Sequence, residues 1–328
     1  MTNLLNKKIL ITGGAGFIGS NIIEHLVKLG HQNIVVLDNL ETGYLKNIQN
    51  FVDAGKVNFI LGNIRSLEDC VKASEGCDII LHQAALGSVP RSIQNPLDTH
   101  ATNVTGFINM LEAAKTNKVK RFVYASSSSV YGDDLNFPKR EDKVGNPLSP
   151  YAVSKKTNEL YASVFANLYH MEIIGLRYFN VFGPKQNPIG PYAAVIPIFI
   201  NRLLQDERCA IFGDGSNSRD FTYIDNVVQA NLLAATTQNI DALNQVYNVA
   251  YGATESINQL YEQIKTRLNV SAEPEYKAPR VGEIKDSYAD ISKIKDLLTY
   301  TPLVSLSDGI KKTIDWYKSN HDYFVSAS

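Results

Sequence analysis

Short apolar runs alternate with amphipathic segments through the first half of the chain. Each run is four to six residues long and ends at a polar or glycine-rich turn, a pattern typical of buried strands. Between the runs, apolar residues recur at helical spacing. The predicted strands span residues 7–12, 33–37, 57–61, 78–81, 121–125 and 172–177. The predicted helices span 67–73, 98–115 and 152–168, and another follows the first strand.

Strands that alternate with helices in this way form a parallel sheet covered on both faces. We therefore predict an α/β fold with a Rossmann-type, doubly wound parallel sheet. After residue 180 proline and glycine cluster, and only a helix at 223–236 and a strand at 245–250 are placed to return to the sheet. The expected division is a Rossmann domain at 1–180, with returning segments near 217–250, and a smaller, interleaved C-terminal substrate lobe at 181–328.

Composition places the chain among globular proteins and limits its partners. Of its 328 residues, 44% are hydrophobic and 20% are charged, and the formal net charge is −1. This balance gives no electrostatic reason to expect nucleic acid or an anionic membrane as a partner. No apolar run approaches the ~18 residues of a membrane span, and the N-terminus lacks the apolar core of a secretion signal. A cytoplasmic location is therefore expected.

Cysteine usage agrees with that expectation. Cys70, Cys77 and Cys209 have no CxxC or cysteine–histidine spacing, and their number is odd. These features predict reduced thiols, without a disulfide framework or a metal site.

A glycine-rich turn joins the first predicted strand to the first helix. Gly13 allows a tight turn, Gly16 lets the backbone approach a pyrophosphate, and Gly19 lets the helix pack closely on the strand. The second strand is followed by Asp38, near the ~20-residue offset at which a carboxylate accepts hydrogen bonds from the adenosine ribose. Because a carboxylate repels a 2′-phosphate, the combination predicts NAD rather than NADP as cofactor.

A tyrosine and a lysine stand one helical turn apart at the start of the predicted helix 152–168. Pro150 marks the helix entry, and Tyr151 and Lys155 project from one face. Lowering a phenol pKa from roughly 10 to 7 takes about 4 kcal/mol, which a partly buried cation and a cofactor charge together can supply. Such a pair also recurs by chance in ordinary helices, so its meaning depends on the rest of the chain.

Polar residues follow three of the predicted strands, at 62–64, 82–85 and 126–129. The carboxyl ends of parallel strands meet at one edge, where open α/β sheets bind their ligands. The four consecutive serines at 126–129 are either loop filler or a source of hydroxyls for a bound alcohol. Their place at the end of a central strand, ahead of Tyr151, favours the second interpretation.

Several motifs together resemble the extended short-chain dehydrogenase/reductases, over essentially the whole chain. Within that family the chain is most similar to nucleotide-sugar 4-epimerases, above all those that act on UDP-N-acetylglucosamine and UDP-N-acetylgalactosamine. The motifs are TGGAGFIG (12–19), DN (38–39), HQAA (82–85), ASSSSVYG (125–132), SPYAVSK (149–155), RYFNVFGP (177–184) and SRDFTYIDN (218–226). Because fold similarity alone does not establish a reaction, the site has to support it separately.

The resemblance implies an NAD-dependent isomerase that inverts C4 of a UDP-sugar through a transient 4-keto sugar. Tyr151 would be the acid/base, Lys155 would lower its pKa and hold the nicotinamide ribose, and Ser127 would link Tyr151 to the sugar O4. One general acid/base serves both half-reactions, since no net redox change occurs.

The resemblance also implies a set of cofactor contacts. In most of the family an aspartate follows the third strand, whereas this chain has Asn63. The Asn63 amide can still accept a hydrogen bond from adenine, so the change bears on NAD affinity more than on cofactor identity. The expected NAD contacts are Gly13, Gly16, Phe17, Ile18, Gly19, Asp38, Asn39, Gly43, Asn63, Ile64, Gln83, Ala84, Tyr151 and Lys155.

The implied substrate contacts include two arginines for the diphosphate, which the guanidinium group suits. Surface ion pairs are the alternative explanation for both. Ser287 stands where epimerases restricted to UDP-glucose and UDP-galactose carry tyrosine, so it leaves room for a C2 acetamido group, unless it is an exposed loop residue. The expected contacts are Gly87, Ser88, Ser127, Ser128, Ser129, Tyr151, Asn180, Ala194, Arg219, Arg280 and Ser287.

Alternative functions remain open at this point. A UDP-hexuronate or UDP-N-acetylhexosaminuronate 4-epimerase would share the serines and Tyr151 but needs additional donors for the C6 carboxylate, and the sequence shows no obvious cation for them. A non-catalytic NAD-binding protein would not need the intact Ser127, Tyr151 and Lys155. Dehydratases and decarboxylases of the family usually carry acidic residues where this chain has Ser128 and Ser129.

A homodimer is expected from the amphipathic helices at 98–115 and 152–168. These helices would suit the two-fold, four-helix interface common in the family. A helix that faces the protein core would show a similar pattern, so the oligomeric state stays open.

Overall fold

The computed structural model describes residues 4–190, 192–279 and 286–324. Its strands are β1 Ile9–Thr12, β2 Ile34–Asp38, β3 Val57–Leu61, β4 Ile79–His82, β5 Arg121–Ser127, β6 Glu172–Tyr178, β7 Val181–Phe182, β8 Ala210–Phe212, β9 Ser218–Arg219, β10 Thr222–Tyr223, β11 Gln245–Val249, β12 Glu255–Ser256, β13 Glu275–Lys277 and β14 Asp286–Ser287. Its helices are α1 Phe17–Lys28, α2 Gln49–Asp53, α3 Leu67–Ser74, α4 Val89–Gln94, α5 Pro96–His100, α6 Gly106–Thr116, α7 Pro150–Tyr169, α8 Val195–Leu204, α9 Ile224–Thr236, α10 Ile257–Leu268, α11 Ser292–Leu298 and α12 Leu306–Ser319.

The central sheet has seven parallel strands in the order β3-β2-β1-β4-β5-β6-β11. The order reverses direction between β1 and β4, which creates a crevice at the carboxyl ends of these two strands. Helices cover both faces, over two hydrophobic clusters of buried residues. The predicted α/β, Rossmann-type sheet is confirmed.

β5 and β6 extend beyond their predicted ends. The sequence placed the ends at residues 125 and 177, but the strands pair as far as Ser127 and Tyr178. Serine has only a modest strand propensity, and pairing with the neighbouring strand overrides it here. The extension places Ser126 and Ser127 on the rigid sheet rather than in a loop.

The predicted helix at 98–115 is interrupted. The chain forms α5, then a π-helical turn at Ala101–Thr105, and then α6. Turns of this kind widen a helix locally and often occur at functional sites. Asn103 lies within the turn, and its side chain bonds to a neighbouring loop described below.

The second half of the chain both joins the sheet and adds to it. β11 forms the edge beside β6, and α9 precedes it. Short segments of this half also form a separate three-stranded sheet, in the order β12-β9-β14. One hydrophobic cluster extends from Leu4 to Phe324, so the boundary at residue 180 stays a prediction.

Two sequence expectations can be compared with the described residues. Cys70, Cys77 and Cys209 are all free and buried, and burial raises the pKa of Cys70 to about 12. Among the described residues no helix is long and apolar enough to cross a membrane, and no cluster of histidine, cysteine, aspartate or glutamate suits a metal ion.

Candidate active site

A cavity of about 1150 Å³ opens at the carboxyl ends of the central strands. The turns after β1 to β6 form its floor, and residues of β9 and β14 contribute to its wall. Most of the residues predicted from the sequence line this cavity: Gly13, Gly16, Phe17, Ile18, Gly19, Asp38, Asn39, Gly43, Asn63, Ile64, Gln83, Ala84, Gly87, Ser88, Ser127, Ser128, Ser129, Tyr151, Lys155, Asn180, Arg219 and Ser287.

Two predicted residues are not among them. Ala194 is exposed just before α8, and its neighbour Ala193 lines the cavity in its place. The sequence prediction was therefore one residue away from the cavity wall at this point. Arg280 lies outside the described residues, so its contact stays a prediction.

The glycine turn fits a dinucleotide. Gly13 has φ +68°, and a side chain there would place its Cβ 2.7 Å from the Ala84 amide nitrogen, on the neighbouring strand end. A side chain at Gly19 would collide with the turn itself. The N-cap of α1, Gly16, has no capping side chain, and the first helical turn carries no acidic residue. The helix N-terminus therefore offers free amide donors for a pyrophosphate.

Asp38 lies beside this turn, on the side where the adenosine of a bound NAD is expected. Its carboxylate accepts hydrogen bonds from the amides of Ala15 at 2.9 Å and Leu40 at 2.8 Å. Burial raises its pKa, and these two amides oppose that shift. The carboxylate is thus fixed at the end of β2, where the ribose of a bound NAD would meet it.

Asn63 is held in a local turn at the end of the third strand. Its side-chain oxygen Oδ1 accepts from the backbone N–H of Arg65 at 2.9 Å, and its backbone N–H donates to the Asp69 carboxylate at 2.8 Å. A carbonyl oxygen can accept a second hydrogen bond, so the predicted contact with adenine remains compatible with this geometry.

Tyr151 and Lys155 lie on the first two turns of α7. The Ser149 hydroxyl caps this helix by accepting from the Ala152 amide at 3.1 Å, and Pro150 occupies the first turn. Lys155 is buried, its Nζ donates to the Ala125 carbonyl at 2.7 Å, and it lies 5.9 Å from the centre of the Tyr151 ring. The cap and the buried lysine together fix both side chains against β5.

Burial shifts the pKa values of both residues in the protein by itself. Burial raises the pKa of Tyr151 above its ordinary value, with the Ser127 hydroxyl opposing the shift. Burial lowers the pKa of Lys155 to about 8, with the Glu159 carboxylate opposing that shift. In the protein by itself, desolvation of the phenolate outweighs the effect of Lys155, whose ammonium bonds to the Ala125 carbonyl. The expected lowering of the Tyr151 pKa relied on a cofactor charge as well as on Lys155, so it stays a prediction.

Tyr151 nevertheless differs from the other tyrosines that line the cavity. The hydroxyls of Tyr44, Tyr131, Tyr178 and Tyr192 all bond to side-chain amides of asparagine or glutamine, at 2.5–3.0 Å. In the described part of the chain, the hydroxyl of Tyr151 bonds to the Ser127 hydroxyl and to no asparagine or glutamine side chain. It is therefore the cavity tyrosine best placed to exchange a proton with a ligand.

Unsatisfied polar atoms mark further contact points. Ser129 Oγ and Gln186 Oε1 are buried in the cavity wall without a hydrogen-bond partner among the described residues. Buried polar groups are rarely left unpaired in folded proteins, so both atoms are candidates for ligand contact. Gln186 was missed in the sequence, although it stands two residues after the RYFNVFGP motif.

Asn103 fixes the loop that carries Gly87 and Ser88. Its side chain accepts from the Leu86 amide at 2.8 Å, and donates to the Leu86 carbonyl and to the Ser154 hydroxyl, both at 3.2 Å. The π-helical turn thereby ties this loop to α7. These segments meet only in the tertiary structure. No local sequence pattern therefore predicts that Asn103 fixes this loop.

Arg219 and Ser287 are side by side on the three-stranded sheet. β9 and β14 run parallel with these two residues in register, and the Asp220 amide donates to the Ser287 carbonyl at 2.8 Å. Asn180, at the end of β6, donates from its side chain to the Asp220 carbonyl at 3.0 Å. Burial raises the pKa of the Asp220 carboxyl to about 7, and the amides of Tyr251 and Gly252 donate to it.

Two cations that the sequence analysis did not predict also line the cavity, Lys139 and Arg91. Lys139 is buried and pairs with Asp134 at 3.1 Å. The Arg91 guanidinium lies 5.1 Å from the centre of the Tyr192 ring, in a cation–π arrangement, and forms no ion pair within the described residues.

Similarity to known proteins agrees with this geometry. Residues 9–250 match the NAD dependent epimerase/dehydratase family. The chain is 35% identical over 314 residues to the UDP-glucose 4-epimerase of Mycolicibacterium smegmatis, covering 95% of this chain and 99% of that protein. It resembles the solved structure of UDP-N-acetylglucosamine 4-epimerase from Methanobrevibacter ruminantium M1 in complex with UDP-N-acetylmuramic acid, with TM-score 0.91, 37% identity and coverage of 97% and 100%.

A third similarity involves a different sugar. The structure of UDP-glucuronic acid 4-epimerase from Bacillus cereus, in complex with UDP-glucuronic acid and NAD, gives TM-score 0.87 and 33% identity, and covers 95% of this chain and 99% of that one. All three relatives are named as 4-epimerases of UDP-linked sugars, and their names differ in the sugar. The chain belongs to the NAD-dependent epimerase/dehydratase family, as an NAD-dependent epimerase of the UDP-sugar 4-epimerase group.

Proposed function

We propose that the protein interconverts UDP-N-acetylglucosamine and UDP-N-acetylgalactosamine by inverting C4. The observation that carries this proposal is Ser287, a small residue that lines the cavity in register with Arg219. If Arg219 holds the diphosphate, Ser287 lies near the sugar attached to it. A serine at that point leaves space for an acetamido group, which a large side chain would fill.

The proposed chemistry needs one proton acceptor and one hydride acceptor. NAD⁺ held by the glycine turn and Asp38 would supply a reversible two-electron acceptor for the C4 hydride. Tyr151 accepts the O4 proton, with Ser127 between the phenol and the sugar, and later returns the proton. The substrate passes through a 4-keto sugar, which turns its other face to the site before reduction.

Lys155 contributes charge and position. Its pKa of about 8 leaves the ammonium form predominant at neutral pH, in a buried setting where its positive charge favours the Tyr151 phenolate. The same lysine would hold the nicotinamide ribose. Gly13, Gly16, Phe17, Gly19 and Asp38 would hold the rest of the dinucleotide, and Asn180 would hold the diphosphate with Arg219 and Arg280.

Comparison of substrates tests the proposal. We expect kcat/KM for UDP-N-acetylglucosamine and UDP-N-acetylgalactosamine to exceed that for UDP-glucose by roughly 10–200-fold, the range associated with one missing apolar group in a fitted pocket. NMR of the products, with UDP-glucuronic acid and UDP-N-acetylglucosaminuronic acid as further substrates, measures this order directly. Faster turnover of UDP-glucose would contradict the proposal.

The second candidate function is a uronate epimerase, which Arg91 favours. Its guanidinium lines the cavity without a carboxylate partner in the described part of the chain, so it provides a cation that the sequence had not indicated. If Arg91 binds a C6 carboxylate, Arg91→Gln lowers kcat/KM for uronate sugars and leaves that for neutral sugars unchanged. A uronate preference in the wild-type protein would establish this function over the first.

We expect the purified protein to retain NAD⁺ or NADH and to turn over without added reductant. The glycine turn and Asp38 make a dinucleotide site, and the reaction cycle has no net redox change. Acid release followed by chromatography measures the bound nucleotide. Full activity of a nucleotide-free preparation would contradict the expectation.

We further propose a homodimer formed through α7. Val153, Leu160, Val164 and Leu168 recur at spacings of seven and four residues, and their exposed fractions are 50%, 58%, 49% and 65%. The core therefore does not account for this stripe, which suits a helix pairing with its copy.

Charge in the stripe is expected to separate the protomers. Leu160→Arg together with Val164→Arg should halve the mass measured by analytical ultracentrifugation, whereas Ile240→Arg, at a site 77% exposed elsewhere, should not. A wild-type protein that is monomeric at micromolar concentration would contradict the proposal.

A further inference from the structure

Three side chains close a ring of hydrogen bonds beneath the cavity. The Tyr178 hydroxyl donates to Gln83 Oε1 at 3.0 Å, Gln83 Nε2 donates to Asn231 Oδ1 at 2.9 Å, and Asn231 Nδ2 donates to the Tyr178 hydroxyl at 2.8 Å. Gln83 and Tyr178 line the cavity, whereas Asn231 is fully buried on α9 and does not. The ring thus links a residue outside the cavity to two residues that face it.

One backbone contact of Asn231 determines which atoms donate and which accept around the ring. Asn231 Nδ2 also donates to the Val227 carbonyl at 2.8 Å, and a carbonyl oxygen can only accept. Its Oδ1 must therefore face Gln83, which must present its amide nitrogen in return. Gln83 Oε1 is then left to accept from Tyr178. A single backbone carbonyl of α9 in this way dictates the orientation of all three side chains.

The ring sets the orientation of the Gln83 side-chain amide at the crevice between β1 and β4. Gln83 directly follows β4, and its amide group has one N–H that the ring does not use. The opposite orientation would present its carbonyl oxygen to the cavity. A dinucleotide crosses this crevice with its phosphates and nicotinamide ribose, which are rich in acceptor oxygens. The ring therefore leaves a free amide N–H on Gln83, a residue that lines this crevice.

We propose that Asn231 is a positioning residue for NAD, which sets the Gln83 amide as a hydrogen-bond donor to the bound cofactor. The Tyr178 hydroxyl connects the two side chains as a relay, because it accepts from Asn231 and donates its proton to Gln83. Because burial raises the pKa of Tyr178 well above its ordinary value, the relay stays protonated at neutral pH. The proposal concerns the cofactor alone, so it does not depend on which sugar is the substrate.

Asn231→Leu tests the proposal by removing both amide bonds at nearly constant volume. With the holoenzyme loaded with NADH, chase with excess NAD⁺ and loss of NADH fluorescence give the release rate. Hydrogen bonds to charged groups are among the stronger ones, so we expect release to become about 10-fold faster. The readout is independent of turnover.

Asn226→Leu is the matched control. Asn226 is a fully buried asparagine on the same helix, and its side chain bonds to the backbone of Leu303 and Val304, away from the cavity. It should lose thermal stability as Asn231→Leu does, yet release NADH within 2-fold of the wild-type rate. Equal acceleration by both variants would overturn the proposal, since the effect would then come from general loosening of α9.

A triple variant separates positioning from stability. Gln83→Leu/Tyr178→Phe/Asn231→Leu replaces the whole ring with apolar groups, which leaves no buried polar atom unpaired. It should regain thermal stability relative to Asn231→Leu while still releasing NADH about 10-fold faster than wild type. Release at the wild-type rate, by this variant or by Asn231→Leu, would contradict the proposal.

Discussion

Tyr151→Phe is expected to lower kcat by at least about 100-fold with every UDP-sugar that the protein accepts, because general acid–base catalysis contributes that much or more. The change removes the proton acceptor but little contact area, so KM should change only slightly. Steady-state kinetics on the NAD-loaded protein measures both constants. The other cavity tyrosines cannot substitute, since their hydroxyls are bonded to asparagine or glutamine side chains.

Tyr161→Phe provides the control for this change. Tyr161 lies on the same helix, is 39% exposed and does not line the cavity, so loss of its hydroxyl should leave kcat unchanged. If Tyr151→Phe remained within a few-fold of wild type, another group would have to be the base, and the assignment of Tyr151 would fail.

Ser287→Tyr is expected to abolish turnover of the N-acetylated pair and to spare UDP-glucose and UDP-galactose. The backbone of Ser287 is fixed, because it pairs with β9 and its carbonyl accepts from the Asp220 amide. Because this backbone does not shift, the larger side chain of a tyrosine at position 287 has to occupy the cavity. Overpacking of a fitted site is strongly unfavourable for the ligand that filled the space.

Ser287→Ala separates volume from hydrogen bonding in this prediction. It keeps the space and removes only the hydroxyl, so it should retain turnover of UDP-N-acetylglucosamine. Unchanged turnover of that sugar by Ser287→Tyr would show that residue 287 does not face C2, and the substrate proposal would lose its main support.

The sequence predicted the part of the site that depends on local order. Gly13, Gly16 and Gly19 lie within seven consecutive residues, and Tyr151 and Lys155 lie one helical turn apart, so each set is visible as a short motif. The other motifs of the chain are what favour a site over a chance match. The strand ends that carry Asp38, Gln83 and Ser127 also follow from the alternation of strands and helices. Because parallel strands end at one edge, these residues had to meet.

The parts that were missed depend on contacts distant in sequence. Asn231 meets Gln83 across 148 positions, and Asn103 meets Leu86 and Ser154 from a π-helical turn that no periodicity indicated. Arg91, on α4, meets Tyr192, which lies between β7 and α8. The raised pKa of Tyr151 likewise depends on burial, which the spacing of Tyr151 and Lys155 does not contain.

The fate of the hydrogen at C4 tests the central claim most directly. The proposed cycle moves that hydrogen to the cofactor and back within one site, without exchange with water. The protein, incubated with UDP-N-acetylglucosamine deuterated at C4, should produce UDP-N-acetylgalactosamine that keeps the deuterium at C4, as read by NMR and mass spectrometry. Loss of the deuterium to solvent, or failure to form UDP-N-acetylgalactosamine, would contradict the account.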